Sequence, residues 1–256
     1  MVATEERPIT FRTLDTLKDL QAGVRHLRRV CPAMRAIHDR AGDPPLRRYT
    51  ADFSGLARIV VGQQLSIASA NAIWSRVETL VRPMTAEALM AASPVALGKA
   101  GLSGGKIRTL LALADGVMAR RINLAKLKRL PDDDVRLHLT TVSGIGPWTA
   151  DIYVMFCLGR ADGWASGDLA LQVGAARALG LGERLTVTEA ENAAQRWSPW
   201  RGVAARLIWA DYAHLRAQPF AGTTSTSPLR PTASAAARPK APSRLRKASQ
   251  PRKDRT

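Results

Sequence analysis

The run Gly144-Ile145-Gly146-Pro147 constrains this chain more than any other feature, because it separates two segments that both read as helices. The first begins after Pro131, where Asp132, Asp133 and Asp134 offer oxygens to the free N–H groups of a helix start, and it extends to about Thr141. The glycines permit a tight turn. Pro147 then takes the first position of the next helix, where its missing N–H is no loss, and that helix carries Trp148 to about Leu158. A helical hairpin is therefore predicted over about residues 134–158. Taken alone, Gly-x-Gly between helices suits an ordinary connection. It also leaves backbone N–H groups exposed at a helix start, where they receive a phosphate oxygen that glycine lets come close.

Helical spacing continues elsewhere. Ile107, Leu110, Leu111, Ala114, Val117 and Met118 follow the i, i+3, i+4, i+7 pattern of one buried face. Ile73, Trp74, Val77, Leu80 and Val81 do the same, as do Val203, Ala204, Leu207 and Ile208. Alternating strand patterns bounded by Asn-Gly or Asp-Gly turns are missing. Breaks fall at Gly42 to Pro45, Pro83, Pro94, Gly104-Gly105, Pro131, Gly180 and Pro199. The reading is all-α, with eight to ten short helices in one or two tightly packed lobes.

Charge names the class of partner. Lys and Arg total 38 against 21 Asp and Glu, a formal +17, which points to a polyanion and first to nucleic acid. Nine of the basic residues follow Ala221 with Asp254 as the single acid there, so that segment holds +8 and residues 1–220 hold +9. Residues 221–256 lack aromatics and are dense in Pro, Ser, Thr and Ala, so they read as a disordered basic tail. A solubilising extension and a sequence-blind arm on DNA phosphates fit that tail equally well. No run of about 18 uncharged apolar residues is present, so no membrane span is expected. The charged start, MVATEERPITFR, does not resemble a secretory signal, and two cysteines, Cys31 and Cys157, fit a reducing cytoplasm. Two thiols are too few for a four-Cys iron–sulfur cluster.

Four blocks, in order, carry a resemblance. They are Phe53-Ser54-Gly55-Leu56 through Gln63-Gln64-Leu65-Ser66; Gly101-Leu102-Ser103-Gly104-Gly105-Lys106-Ile107; the hairpin with Ala165-Ser166-Gly167-Asp168-Leu169-Ala170-Leu171-Gln172; and Pro199-Trp200-Arg201 with Trp209. Over roughly residues 20–215 the chain resembles the helix-hairpin-helix DNA glycosylase superfamily, and within it the alkylpurine (DNA-3-methyladenine glycosylase II) branch. The resemblance implies a helix-hairpin-helix glycosylase fold of two helical lobes with the active site between them and no N-terminal β domain. Residues 21–220 form the expected domain, after an extension over residues 1–20. The implied partner is double-stranded DNA with alkylated bases, met by a monomer.

The resemblance also assigns roles. The family's aspartate after the hairpin falls on Asp168. A fixed carboxylate stabilises the positive charge that builds on deoxyribose as the N-glycosidic bond breaks, and it orients the attacking water. As the residue before Leu169, Asp168 also suits a helix N-cap. Asp151, Asp162 and Asp211 fit helix-surface or turn roles better. Trp148 is expected to wall the base pocket by stacking and cation–π attraction, with Trp164 as a second wall. Trp74 and Trp209 read as core, and Trp197 and Trp200 fit either role. Strand-cutting relatives carry a lysine where this chain has Trp148, so a monofunctional hydrolase that leaves an abasic site is expected. A base flipped out of the duplex leaves a gap for a wedge, placed at Gln64 with Leu65 as the alternative. Phosphate contacts are expected from Gly144, Ile145 and Gly146, and from Lys106 and Arg201. No cofactor is required, and a Na or K ion at the hairpin is implied on the carbonyls of Thr140, Val142 and Ile145. Oxidised or deaminated bases are the alternative substrates. A non-catalytic DNA-binding protein is the alternative class.

Overall fold

The computed structural model describes residues 10–217, with side chains to Arg216; the basic tail expected over residues 221–256 lies outside the described residues. The described chain is helical. The order is α1 (Leu17–Val30), α2 (Pro32–Ala41), α3 (Phe53–Gly62), α4 (Ile67–Leu80), α5 (Ala86–Ala91), α6 (Pro94–Lys99), α7 (Gly104–Met118), α8 (Leu124–Leu127), α9 (Asp132–Thr140), α10 (Pro147–Phe156), α11 (Leu169–Ala178), α12 (Val187–Ala194), a 3-10 turn (Gln195–Trp197) and α13 (Arg201–Ala217). Thirteen α-helices exceed the eight to ten expected, because α5, α6 and α8 hold only six, six and four residues. Segments so short show no helical period. The only β-bridge among the described residues joins Thr13 to Arg160.

Packing sorts the helices into two groups. The start and end of the chain come together, with α13 against α1, α2 and α11, and α12 against α11. The middle forms the other group, with α3 against α4, α7 and α10, α7 against α5 and α6, and α9 against α10. These are the two expected lobes. Within the extension expected over residues 1–20, residues 12–14 pack on the fold: Leu14 is fully buried, its N–H bonds the Gly159 carbonyl at 2.7 Å, and the Arg12 carbonyl accepts from Ala161 N–H at 2.9 Å.

Small polar residues start the helices. Asp52, Ser66 and Ser103 each accept a backbone N–H three residues on, from Gly55, Ser69 and Lys106. The three aspartates at the start of α9 cap nothing with their side chains. Asp132 instead faces Arg160 at 3.4 Å, and Asp133 pairs with Arg136. In α7 the buried face is Leu110, Leu113 and Ala114 with Thr109 and Gly116, while Met118, expected inside, is 49% exposed.

The hairpin is α9, the turn and α10, within two residues of its expected ends. Every residue of α10 from Thr149 to Phe156 is buried, so the helix runs through the core and holds the turn rigidly at its N-terminal end. The two glycines differ. Gly144 has φ +85°, and a Cβ there would lie 1.8 Å from the Thr109 hydroxyl oxygen. Gly146, the N-cap of α10 at φ −93°, has open space where a Cβ would stand. Gly144→Ala is therefore expected to lower stability by about 2 kcal/mol or more, from left-handed strain plus overlap. Gly146→Ala should cost about 1 kcal/mol at most, as an N-cap change. Chemical denaturation of the two variants checks the ordering.

Candidate active site

Three of the sequence blocks meet at one junction. Gln63, the C-cap of α3, donates through Nε2 to the Gly144 carbonyl at 3.2 Å and to Thr149 Oγ1 at 2.8 Å. Lys106 Nζ donates to the Val61 carbonyl at 2.7 Å, and Thr109 of the same helix abuts Gly144. The end of α3, the start of α7 and the hairpin turn are thus locked together. Lys106 is spoken for by this bond, and burial pushes its ammonium below its ordinary value. The bond gives Lys106 a positioning task at the end of α3, beside the phosphate contact expected of it.

Directly after Gln63, Gln64 adopts φ +55° at an exposed corner. Leu65, 39% exposed, follows it and lines the mouth of a cleft of about 740 Å³. That cleft lies between the two groups of helices. One wall comes from α3, α4 and α10 (Arg58, Ile67, Trp148, Phe156) and the other from α13 (Arg206, Trp209, Tyr212, Arg216), with Asp168 between them.

Among the described residues Asp168 is the only carboxylate lining the cleft. It is held by three donors: Trp148 Nε1 to Oδ2 at 2.9 Å, Trp209 Nε1 to Oδ1 at 3.0 Å, and the Leu171 N–H to Oδ1 at 3.0 Å. The last bond is the N-cap of α11, so capping and aiming are one arrangement. Among the described residues no cation pairs with Asp168; all its partners are neutral. Its negative charge is fixed in direction and free to face a positive charge that appears transiently beside it.

Trp209 was read as core and is instead a donor to Asp168 on the cleft wall, stacked on Phe156 at 5.7 Å. The opposite correction applies to Trp164, which is 1% exposed against Trp197 at 5.5 Å and lines no part of the cleft. Arg201 does not face outward either. Its guanidinium pairs with Asp162 at 3.0 Å and Glu191 at 3.2 Å, clamping α12 to α13. Two of the set-aside acids are buried pairs and not surface groups: Asp151 with Arg136 at 2.5 Å and Asp211 with Arg40 at 2.6 Å. Burial pushes Asp151 up to about 6 despite Arg136. Trp74 is core as expected.

The reading of residues missed the cleft's arginines. Arg206 is 3% exposed, donates to the carbonyls of Leu46, Gly202 and Met155, and covers Phe156 at 4.8 Å. Burial, with Arg48 and Arg47 nearby, pushes it down to about 9. Arg58 lies over Tyr49 at 4.7 Å. The chain's own cations thus cover Tyr49 and Phe156, while Trp148 and Trp209 also line the cleft. A signal existed: Arg206 interrupts the apolar run Val203 to Trp209 and has no polar neighbour there to explain it.

At the hairpin, Ile145 is buried, and Gly144 and Gly146 are exposed. No backbone acceptor among the described residues takes the N–H of either glycine. The Val142 carbonyl accepts from Ile145 N–H at 3.0 Å, which uses one of its two lone pairs.

Residues 57–199 match the family described as HhH-GPD superfamily base excision DNA repair protein. A DNA-3-methyladenine glycosidase from Bacillus halodurans is 30% identical, with 81% of this chain and 94% of that one covered at a TM-score of 0.63. The 3-methyladenine DNA glycosylase Mag1 of Schizosaccharomyces pombe, solved with abasic DNA, is 24% identical and superposes with a TM-score of 0.67 over 73% of this chain and 95% of its own. The alkylbase DNA glycosidase-like protein mag2 of the same yeast is 24% identical over 164 residues, 62% of this chain and 77% of its own length. The chain belongs to the HhH-GPD superfamily of base excision DNA repair proteins.

Proposed function

We propose that this chain is a monofunctional DNA glycosylase that hydrolyses the N-glycosidic bond of alkylated purines of the 3-methyladenine type and leaves an abasic site. The observation that carries the reading is Asp168, the lone carboxylate of an aromatic cleft, aimed by two indole N–H groups. The names of the relatives, 3-methyladenine glycosylases and an alkylbase glycosidase-like protein, support the substrate class.

The geometry supplies each step. The open amides of Gly144 and Gly146 at the start of α10 receive a phosphate of the damaged strand. Gln64, with Leu65 beside it, enters the gap left by the flipped base. The base enters the cleft that Trp148 and Trp209 line. As the C1′–N bond lengthens, positive charge grows on the sugar and the Asp168 carboxylate stabilises it. Water then adds its oxygen to C1′ and gives up a proton, for which Asp168 is the acceptor, while the base leaves with the bonding electrons. A cationic alkylated purine departs without help from a general acid. Among the described residues no lysine lines the cleft, so no described amine faces the sugar.

The carbonyls of Thr140, Val142 and Ile145 on the turn are hard, neutral donors of the kind a monovalent cation takes. Such an ion, held by these carbonyls, would add positive charge beside the turn and would play no part in bond cleavage. Cleft, hairpin and carboxylate come from one chain, which supports action as a monomer in the compartment that holds the DNA.

Asp168→Asn keeps a competent N-cap, so it is expected to fold and bind DNA while base release from methylated DNA falls at least about a hundredfold. Near-normal release would rule Asp168 out. Trp209→Phe removes one donor and keeps the stacking ring, and should slow release about fivefold to tenfold, the worth of one hydrogen bond. Borohydride is expected to trap no enzyme on DNA, and efficient trapping would point to an amine nucleophile. A panel with oxidised and deaminated bases in the same release assay sets the substrate class.

A further inference from the structure

Away from the cleft, a second groove of about 460 Å³ is lined by Arg12, Ala22, Arg25, His26, Arg29 and Trp200. Ala22, Arg25, His26 and Arg29 recur at spacings of three and four, so they share one stripe of α1. Arg12 arrives from the segment before α1 and covers the Trp200 ring at 4.6 Å, with His26 at 6.5 Å from the same ring. Trp200 is 9% exposed and forms the floor. Arg12, Arg25 and Arg29 are exposed, and among the described residues none has a carboxylate partner. Seven other arginines do have one. Converging cations repel one another, and among the described residues no acid in this groove offsets that repulsion.

The groove is remote from the hairpin and from the cleft. The Arg12 segment bonds to Gly159 and Ala161, past the C-terminal end of α10, whereas Gly144 and Gly146 lie at its N-terminal end. Ten helical residues set those ends about 15 Å apart. Trp200 stands before α13, while the cleft residues Trp209 and Arg216 lie about 13 and 24 Å further along it. The groove shares no lining residue with the cleft and none with the hairpin turn.

We infer that the Arg12–Arg25–Arg29 groove binds the phosphate backbone of a second DNA segment, so that one molecule holds two duplexes at once. DNA is the occupant the observations favour: the chain belongs to a DNA repair family, and the free charges are arginines, which suit phosphate geometry. Two such surfaces let the protein pass from one segment to another without first entering solution.

The test uses the full chain, bound through its cleft to an immobilised duplex with a tetrahydrofuran abasic analogue. Wild type is expected to capture a short, undamaged, labelled duplex. Arg25→Gln with Arg29→Gln should cut that capture roughly tenfold and lower the slope of log affinity against log salt by about two. Equal capture with an equal slope would overturn the inference. So would variant-sensitive binding of a polyglutamate peptide in preference to DNA, which would assign the groove to an acidic protein. Base release from a single duplex should not change, and a parallel loss of both would overturn the separation of the two surfaces. Capture needs no base release, so its outcome is independent of the glycosylase reading.

Discussion

The contact between Gly144 and Thr109 fixes the rest of the working geometry. A turn that must hold φ +85° with no room for a Cβ is pinned to α7 by sterics alone. The Gln63 amide then bonds the Gly144 carbonyl and Thr149, and through them sets where α3 ends. Because Gln64 and Leu65 leave directly from that end, the position of the proposed wedge is coupled to that of the glycine amides proposed to meet phosphate. A shift of one moves the other. This explains why the Gln-Gln-Leu-Ser, Gly-Leu-Ser and Gly-Ile-Gly blocks, about 40 residues apart in sequence, occur together: they are three faces of one junction.

The second fixed point is Asp168. Trp148 reaches it from the middle lobe and Trp209 from the lobe built by the chain's two ends. The carboxylate therefore joins the lobes at the floor of the cleft, with α11 beginning at the same residue. Neutral donors orient the group without neutralising it. An arginine in place of either indole would have held the carboxylate as firmly and cancelled the charge that makes it useful.

Much of this was legible in the residues. The hairpin ends and the cap at Asp168 follow from local chemistry, and local chemistry is visible in a sequence. What was hidden depended on partners far along the chain. Trp209 and Trp164 are both tryptophans in apolar surroundings, and only the fold shows which faces Asp168 and which faces Trp197. Lys106 and Arg201 read as free cations because their acceptors, the Val61 carbonyl and the carboxylates of Asp162 and Glu191, are 45, 39 and 10 residues away. Met118 misled for a related reason. It keeps the helical period, but α7 ends there with nothing packed against it.

The formal charge of +17 overstates what the fold offers an anion. Arg40, Arg48, Arg136, Arg160 and Arg201 are tied to carboxylates that brace one helix or segment against another. Arg206 is enclosed by carbonyls, and Arg58 lies on an aromatic ring. These cations hold the structure and cannot leave to meet phosphate without undoing it. In the proposed function the hairpin meets DNA through glycine amides, which carry no formal charge, so seating of the damaged strand there would draw little on counterion release. Salt-sensitive attraction would then come from arginines that no carboxylate claims. On that reading the protein separates holding DNA from placing it: unpaired surface cations supply the first, and two amides and one aimed carboxylate supply the second.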